Sequence, residues 1–301
     1  MSLSALWKQL QESTVWKQLQ EIPDTDPMRV VRAANASPMT LDGTRTYVVG
    51  RERPAVIDPG PADLAHLENV VRAMGGRMPI AILLTHSHAD HAAGALPLAT
   101  ATGAPVMMAK GALSISFDLN VTRWLADGDT VETDVGTLRA VATPGHAPEH
   151  LCFHWTGGEA PAGGALFVGD HFMGTGDTTL VSPPEGDLGA YLRSLDKVDA
   201  LDAAVFHPAH GGPMHDPSVT VERYWKHRAE RIEQVVRALR RTGRSHPRGI
   251  LEAVYGPNLD PELRTAAEGS LTAILQFLVA EGHADTDANG SYDLTELGRA
   301  E

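Results

Sequence analysis

Short apolar runs alternate with amphipathic segments over the first two thirds of the chain. Runs such as TYVVG at 46–50 and GALFVGD at 164–170 end in turn residues and predict buried strands. Between such runs, 62–74 and 187–201 carry apolar residues at helical spacing and predict amphipathic helices. Strands that alternate with helices indicate a layered fold of the α/β or α+β class.

The same patterns predict the remaining elements of this region. A helical pattern follows the apolar run PIAILLTH and covers 91–102. Several predicted strands end just before a histidine or an aspartate, which makes their ends candidate sites of chemistry. Further strands are predicted at 54–60, 79–86, 104–109, 129–145 and 150–155, and a strand followed by a loop is predicted at 203–212.

The pattern changes after residue 216, where helical periodicity becomes continuous. One long helix is predicted at 217–243, followed by helices at 246–256 and 261–282. The tail places Asn-Gly between two short strand-like pieces, which predicts a hairpin. Three helices and a hairpin are the outline of a winged-helix-like domain. The predicted organisation is a lead-in of a helix and the first strands at 1–44, an α/β domain at 45–215, and a small helical domain at 216–301.

The amino-acid composition is that of an ordinary globular protein. It excludes internal disulfides and thiolate-rich zinc sites. Hydrophobic residues make up 43% and charged residues 21% of the 301 residues, so a core can form without disulfides. The net charge of −13 argues against a globally basic nucleic-acid binder. Cys152 is the only cysteine, which rules out an internal disulfide and a thiolate-rich zinc site. Because Cys152 lies within the predicted strand at 150–155, we expect a buried thiol.

Membrane and export signals are missing from the sequence. No run of about eighteen apolar residues occurs, so neither a transmembrane helix nor a membrane partner is predicted. The first residues lack the charged and apolar regions of a signal peptide, and a cytoplasmic location is therefore expected. WKQLQE occurs at 7–12 and again at 16–21, and this duplication predicts an amphipathic helical lead-in.

The segment THSHADH at 85–91 carries three histidines and an aspartate directly after an apolar run. Crowded imidazoles repel one another when protonated and cost free energy when buried without partners, so their clustering favours a metal site. Further histidines and aspartates follow the ends of predicted strands, where α/β proteins place functional groups. The predicted ligands are His86, His88, Asp90, His91, His146, Asp170 and His210.

Two ligand pairs on one segment indicate two ions side by side. Imidazole and carboxylate groups favour zinc, so we expect two Zn²⁺ per chain, with iron or manganese as alternatives. An open coordination position admits water, whose pKa falls to about 7, and a metal-bridging hydroxide then attacks the substrate. Asp90 and Asp170 are the predicted catalytic residues because they position this hydroxide. The first predicted set is His86, His88 and His146, and the second is Asp90, His91 and His210, with Asp170 between them.

These motifs resemble those of the metallo-β-lactamase superfamily. The resemblance covers residues 45–215 through five ordered motifs, AVIDPG, THSHADH, TPGHAPEH, FVGDHFMG and HPAHGG. It implies an αββα metallo-β-lactamase sandwich with a dinuclear site at one edge. It also implies that Asp58, in the first motif, orients a ligand without binding the metal itself.

A narrower resemblance covers nearly the whole chain after residue 45. GDHFMGTGDTTLVSP, PAHGGPMHDP and segments of the tail are similar to the beta-lactamase-like protein 2 subgroup. That resemblance implies a zinc hydrolase with a C-terminal winged-helix-like domain, and some relatives are implicated as single-strand endoribonucleases or thioesterases. His171 follows the bridging aspartate at a position that varies among relatives, and we expect it near the site without an assigned role.

Several polar residues near the motifs are interpreted as structural. We expect Glu149 to be an exposed loop acid, with orientation of a ligand as the alternative. His150 is expected to be a hydrogen-bonded turn histidine, and His207 and His215 parts of loops. In the segment 223–248, nine Lys or Arg residues stand against two acidic ones. We interpret this segment as a solvated helix whose long side chains pack on the sandwich, with contact to RNA phosphates as the alternative.

The favoured function is a dinuclear zinc-dependent hydrolase of an ester, thioester, lactone or phosphodiester bond, with a small-molecule ester or thioester as partner. The first alternative is a single-strand-specific endoribonuclease at the same site, with single-stranded RNA as partner. The second, a mononuclear iron persulfide dioxygenase, is disfavoured by the complete second ligand set. Open coordination disfavours a non-enzymatic DNA-binding regulator, and the missing export signal disfavours a β-lactamase. A homodimer is left open.

Overall fold

A computed structural model of the protein describes residues 26–113, 117–176 and 178–300. In these ranges two sheets pack face to face, and helices cover both outer faces. The predicted αββα sandwich and helical C-terminal region are therefore confirmed. The helix predicted over the WKQLQE repeat lies outside the described residues.

The first sheet has six strands, which neighbour one another in chain order. They are β1 (Met28–Arg32), β2 (Arg45–Val49), β3 (Ala55–Ile57), β4 (Ala81–Leu83), β5 (Val106–Met108) and β6 (Arg123–Trp124). β1, β2 and β3 pair antiparallel, whereas β3 to β6 pair parallel. The parallel strands end at one edge, and the ends of β3 and β4 lead into Asp58 and the THSHADH segment.

The second sheet has five strands in the order β11-β10-β9-β8-β7. They are β7 (Thr130–Thr133), β8 (Gly136–Ala142), β9 (Leu151–Thr156), β10 (Ala165–Gly169) and β11 (Val205–Pro208). β10 and β11 are parallel, and the other pairs are antiparallel. The ends of β8, β10 and β11 lead into the segments that carry His146, Asp170 and His210.

Helices cover the sheets and form the C-terminal region. α1 (Leu64–Ala73), α2 (Ala89–Ala92) and α3 (Ala95–Thr102) lie on the first sheet, and α4 (Leu188–Asp199) lies on the second. The C-terminal elements are α5 (Pro217–Thr242), α6 (Pro247–Tyr255), a 3₁₀ turn (Pro261–Leu263), α7 (Arg264–Ala280), β12 (Ala284–Thr286), β13 (Tyr292–Leu294) and α8 (Glu296–Ala300). Within the described ranges, none of these helices has the length and apolarity that crossing a membrane requires.

Alternating side chains along the strands build separate hydrophobic cores on the two faces of each sheet. In β2, Tyr47 and Val49 face the second sheet, whereas Val48 packs beneath the helices. In β10, Phe167 faces the first sheet and Val168 packs against the outer helices. Burial of each such side chain contributes about 1.5–3 kcal/mol. The two-residue period of a strand therefore favours helices on both outer faces.

The C-terminal helices share the core on the outer face of the second sheet. Phe172 follows β10, and its ring centroid lies 4.9 Å from that of Tyr224 in α5. Val235 of α5, Ile250 of α6 and Leu271 of α7 belong to the same buried cluster. The C-terminal region is thus packed directly on the sandwich.

One predicted helix is divided in the structure. The sequence predicts a single helix at 91–102, which forms the separate helices α2 and α3. Gly94 between them packs against the turn after β3, where an added Cβ atom would lie 2.9 Å from Pro59 O. The Gly94 N–H donates to Gly60 O at 2.8 Å. This close approach fixes the position of α2, which carries two of the predicted ligands.

The elements after residue 216 follow the predicted pattern more closely. α5 spans the predicted long helix, and α6 and α7 lie within the next two helical predictions. β12 and β13 pair antiparallel, with Thr286 opposite Tyr292, so the Asn-Gly signal marked a turn between paired strands. Cys152 in β9 is fully buried, as expected from its apolar neighbours.

Gly145 precedes His146 and packs against α4. Its φ is +140°, and an added Cβ atom would lie 2.4 Å from Tyr191 Cα. We expect Gly145→Ala to lower the free energy of unfolding by about 3 kcal/mol, because it adds backbone strain and a steric clash. Chemical denaturation measures the loss.

Gly103→Ala is the matched control for this prediction. Its φ is +70°, and among the described residues no heavy atom beyond Gly103 and its two chain neighbours lies within 4 Å of the added Cβ. Backbone strain alone gives an expected loss of about 1 kcal/mol. Equal losses in the two variants would exclude the Tyr191 contact as the cause.

Candidate metal centre

The seven predicted ligands lie together at the carboxyl ends of the strands. They form two groups, and within each group one potential ligand atom per residue lies within 4.8 Å of the others. Side chains from the two sheets and from α2 thus meet at one place, as the strand-end positions predicted. The first group is His86, His88, His146 and Asp170, and the second group is Asp90, His91 and His210.

Three imidazole nitrogens converge in the first group. His86 Nε2 lies 2.9 Å from His88 Nδ1, and His146 Nε2 lies 3.1 Å from the same atom. A tetrahedral zinc with bonds of about 2.0–2.1 Å places neighbouring ligand nitrogens about 3.3 Å apart. The spacing of these three nitrogens therefore suits a single ion.

The Asp170 carboxylate faces both groups. Its Oδ1 lies 3.3 Å from His91 Nε2 and 3.2 Å from His210 Nε2, and its Oδ2 lies 3.6 Å from His146 Nε2. Asp90 Oδ2 completes the second group at 3.2 Å from His210 Nε2. One carboxylate with an oxygen toward each group has the geometry predicted for a bridging ligand.

Several buried atoms at this centre lack hydrogen-bond partners among the described residues. They include His91 Nε2, His210 Nε2 and Asp170 Oδ1. A buried polar atom without a partner costs about 1–3 kcal/mol, and such atoms are uncommon in folded proteins. A coordinated cation would satisfy all three, so the donor set fits a metal centre.

The charges of the clustered groups depend on one another. Burial and the neighbouring histidines hold the pKa of His86 well below its usual value, which leaves its imidazole neutral. Burial also opposes a charge on His210, but the Asp170 and Asp90 carboxylates raise the pKa of His210 to about 9. Burial opposes ionisation of Asp170 too, yet His91 and His210 hold the pKa of Asp170 well below its usual value. Neutral imidazole and ionised carboxylate are the forms that bind metal, so a cation competes with protons at the second group.

Asp58 holds His91 from the side opposite the second group. His91 Nδ1 donates to Asp58 Oδ2 at 2.9 Å, which leaves Nε2 directed at the other ligands. Thr85 N and Thr85 Oγ1 donate to the two oxygens of Asp58 at 2.8 and 2.7 Å. Asp58 therefore orients His91, one of the predicted ligands, and it does so from a backbone with φ of +49°.

Glu149 is not the exposed loop acid that the sequence suggested. It is 2% exposed, and its Oε1 accepts hydrogen bonds from Ser87 N at 3.0 Å and Ser87 Oγ at 2.7 Å. Ser87 lies between His86 and His88, so Glu149 braces the segment that carries both. The small polar residue in the middle of THSHADH was the available signal for such a partner.

The loop between β10 and α4 supplies partners that the sequence analysis did not identify. Glu185 Oε2 lies 2.9 Å from His88 Nε2, which leaves His88 Nδ1 for the first group. His146 Nδ1 donates to Leu180 O at 2.7 Å, which directs His146 Nε2 into the centre. Leu180 contributes only its backbone carbonyl and Glu185 lies outside the quoted motifs, so neither residue was singled out from the sequence.

Arg228 of α5 connects the C-terminal region to the same loop. Its side chain is buried and donates to Thr179 O at 2.5 Å, and its guanidinium lies 4.9 Å from the ring centroid of Tyr191. Thr179 Oγ1 donates in turn to Asp170 O at 2.8 Å. α5 thus supports the backbone next to both Asp170 and His146.

Three other histidines have packing roles. His150 Nδ1 bonds to Thr143 Oγ1 at 2.8 Å, as expected for a structural histidine. The His171 ring lies 4.7 Å from that of Tyr191, and burial lowers the pKa of His171 to about 3. His207 is not a loop residue as predicted: it belongs to β11 and stacks on Phe167 at 5.4 Å. His215 is exposed in the loop before α5, as predicted.

The basic residues of 223–248 make contacts that do not favour an RNA-guiding role. Arg231 lies over the Tyr255 ring at 4.6 Å, and Arg240 donates to Gly298 O at 3.3 Å. Arg237 and Arg248 pair with Glu233 and Glu268, each at 2.7 Å. Much of this positive charge therefore serves packing and ion pairs within the chain, in line with the favoured interpretation.

Comparison with known proteins agrees with this geometry. The family model of the Metallo-beta-lactamase superfamily matches residues 39–210. The lactamase-like protein aptB of Emericella nidulans is 33% identical over 288 residues, which are 90% of this chain and 87% of that protein. The atrochrysone carboxyl ACP thioesterase AgnL7 of Paecilomyces divaricatus is 31% identical over 280 residues, which are 87% of this chain and 84% of that protein.

Solved structures have the same fold. A metallo-beta-lactamase family protein from Thermus thermophilus matches with a TM-score of 0.75 at 20% identity, covering 89% of this chain and 99% of that chain. A beta-lactamase domain protein from Burkholderia ambifaria also reaches 0.75, at 22% identity, covering 92% and 94%. The fold, the clustered ligands and the relatives define a metallo-hydrolase. The chain belongs to the metallo-beta-lactamase superfamily.

Asp58→Asn should weaken metal binding by about 10- to 100-fold, because His91 loses the negative charge that orients it and raises its basicity. Competition with a chromophoric chelator measures the dissociation constant. Asp63→Asn is the control, since Asp63 caps α1 through His66 N at 2.8 Å and an asparagine can make the same bond. Equal affinities in the two variants would contradict the orienting role.

Proposed function

We propose that this protein is a dinuclear zinc-dependent hydrolase that cleaves a thioester. The observation that carries the proposal is the position of Asp170, whose two oxygens face two separate groups of ligands. A mononuclear iron persulfide dioxygenase needs fewer ligands, and the complete second group argues against it. Imidazole mixed with carboxylate suits zinc, and it also admits iron or manganese.

Each residue of the centre has a defined part in this proposal. Bound there, a pair of divalent cations supplies a water molecule with a pKa of about 7 and polarises the substrate carbonyl. Asp90 and Asp170 accept hydrogen bonds from the attacking water and orient it toward the carbonyl carbon. His86, His88 and His146 would hold the first ion, Asp90, His91 and His210 would hold the second, and Asp170 would contribute to both.

The proposed reaction adds water across the thioester. The water oxygen forms a bond to the carbonyl carbon, the carbon–sulfur bond breaks, and the thiolate takes up a proton to leave as a thiol. No side-chain nucleophile is needed. The thioester, rather than another carbonyl compound, is proposed because one relative of similar length is named as an ACP thioesterase.

The C-terminal region also enters as a proposal. Three helices followed by the paired strands β12 and β13 support a winged-helix-like domain at 216–301, attached to a metallo-β-lactamase domain at 45–215. α7, which occupies the place of a recognition helix, contributes buried residues such as Leu271 and Ile274 to the shared core. Packing and substrate binding therefore suit this region better than contact with a duplex.

Elemental analysis should find two zinc ions per chain. Purified protein should hydrolyse acyl thioesters, lose this activity after chelation and regain it with zinc. One iron per chain, together with oxygen consumption on a persulfide, would instead favour the dioxygenase.

A second test uses a ligand variant and a matched control. Asp170→Asn should lower kcat/KM by about 100-fold or more and reduce the metal content below two ions, because the shared ligand is lost. Asp199→Asn, at the exposed end of α4, should behave like the unmodified protein. Full metal content and activity in Asp170→Asn would contradict the shared-ligand role.

A further inference from the structure

A cavity of about 520 Å³ connects the metal centre to the C-terminal helices. His146 and Asp170 line one end of it, and Tyr255 of α6 and Ala267 and Ile274 of α7 line the other. Small-molecule sites commonly measure about 300–1,000 Å³. The cavity is therefore large enough for a substrate whose reacting bond lies at the metal centre.

We propose that α6 and α7 form a pocket for the acyl part of the substrate, and that this acyl part is bulky and largely apolar. The inference rests on the proposed thioester hydrolysis at the metal centre. A thioester carbonyl held near Asp170 must extend its acyl group along the cavity or out into solvent. The cavity offers that group an apolar wall toward the C-terminal helices.

The lining of the cavity supports an apolar ligand. Leu180 lies on the side of the metal centre, and Leu259, Leu263 and Ile274 lie on the side of the C-terminal region. Burial of apolar surface contributes about 25 cal/mol per Å², so an aromatic or long aliphatic group would gain much more than an acetyl group. Selectivity for large acyl groups is therefore expected.

The mouth of the cavity carries apolar side chains that the protein itself leaves uncovered. Met39 is 46% exposed and Leu263 is 37% exposed, and both line the cavity. Large exposed apolar side chains that border a cavity mark a binding surface more often than isolated ones do. A bulky acyl group would cover them, whereas a short one would not reach.

The polar groups of the lining restrict the charge of the ligand. Among the described residues that line the cavity, Asp170 is the only carboxylate, and Arg228 and Arg231 supply positive charge. Arg228 donates to Thr179 O, and Arg231 lies over the Tyr255 ring. Both guanidinium groups are therefore held in the wall. The pocket suits a neutral or oxygen-rich acyl group and disfavours a cationic one.

Small side chains on α7 leave the space open. Ala266, Ala267 and Ser270 line the cavity on successive turns of this helix. Ala266 is half-buried, so a larger side chain can enter the cavity without removing a core residue. Gln276 lies on the same helix, is exposed, and lines a separate groove.

Thioesters of N-acetylcysteamine with acetyl, octanoyl and 2-naphthoyl groups test the pocket in the zinc-loaded full chain. The unmodified protein should have a kcat/KM about tenfold or more higher for the two bulky groups than for acetyl. Ala266→Trp should remove about tenfold of kcat/KM on the bulky substrates and leave acetyl within about twofold. Gln276→Trp, the matched control, should retain the preference. Equal rates for all acyl groups, or equal losses on all of them in Ala266→Trp, would overturn the pocket.

A binding measurement separates this inference from the proposed reaction. Calorimetry with a non-hydrolysable 2-naphthylmethyl thioether should detect binding to the unmodified protein and about tenfold weaker binding to Ala266→Trp. Thioether binding that depends on Ala266, without hydrolysis of any thioester, would support the pocket and reject the thioesterase. Hydrolysis without acyl preference and without thioether binding would support the thioesterase and reject the pocket. If Ala266→Trp fails to fold, Ser270→Phe on the same wall carries the same expectations.

Discussion

Hydrogen bonds on the side opposite the metal centre orient the rings of His91 and His146. His91 is fixed through Nδ1 by Asp58 at 2.9 Å, and His146 is fixed through Nδ1 by Leu180 O at 2.7 Å. Each such bond selects the ring nitrogen that remains free and sets the direction of the ring. Without these bonds, the two rings would lose the contacts that set their orientation. The remaining elements of the fold hold Asp58 and Leu180 in position for these bonds.

That support extends beyond the two sheets. The loop after β10 carries Asp170 at its start and Leu180, which bonds to His146, further on. The position of Asp170 and the orientation of His146 therefore both depend on the conformation of this loop. Arg228 holds Thr179 O at 2.5 Å from the buried side of α5. The buried guanidinium also lies 4.9 Å from the centroid of the Tyr191 ring, a cation–π contact. α5 therefore contributes to the metal centre without supplying a ligand.

The sequence was sufficient for the layers of the fold and for the convergence of the ligands. Strand period and strand ends are local properties, and ends of neighbouring strands meet by geometry, so His146 and His210 could be assigned to one site. The supporting contacts were not predictable in this way. Glu149 meets Ser87 across 62 positions, and His88 meets Glu185 across 97. Each of these acids looks like an ordinary loop residue in isolation, and only the packed structure brings it to its partner.

The break between α2 and α3 also involves a contact between residues that are distant in the sequence. Helical periodicity continues through 91–102, but Gly94 must approach the turn that contains Pro59 and Gly60. Gly94 is also a poor helix former, and Pro97 cannot donate a hydrogen bond to Ala93 O, so the tertiary contact and the local sequence both favour the break. Loop burial, helix breaks and the roles of single arginines depend on tertiary contacts, whereas element type depends mainly on local pattern.

The metal centre and the far wall of the cavity are formed by different parts of the chain, which allows substrate specificity to change independently of the metal centre. All seven predicted ligands lie between His86 and His210, whereas the far wall of the cavity comes from α6 and α7. Substitutions on that wall change the shape available to the substrate without touching a ligand or its supporting hydrogen bonds. Because α6 and α7 pack on the sandwich through a continuous apolar core, such changes leave the position of the wall intact. In the proposed thioester hydrolysis, one metal centre would therefore serve different acyl groups through changes in the C-terminal helices alone.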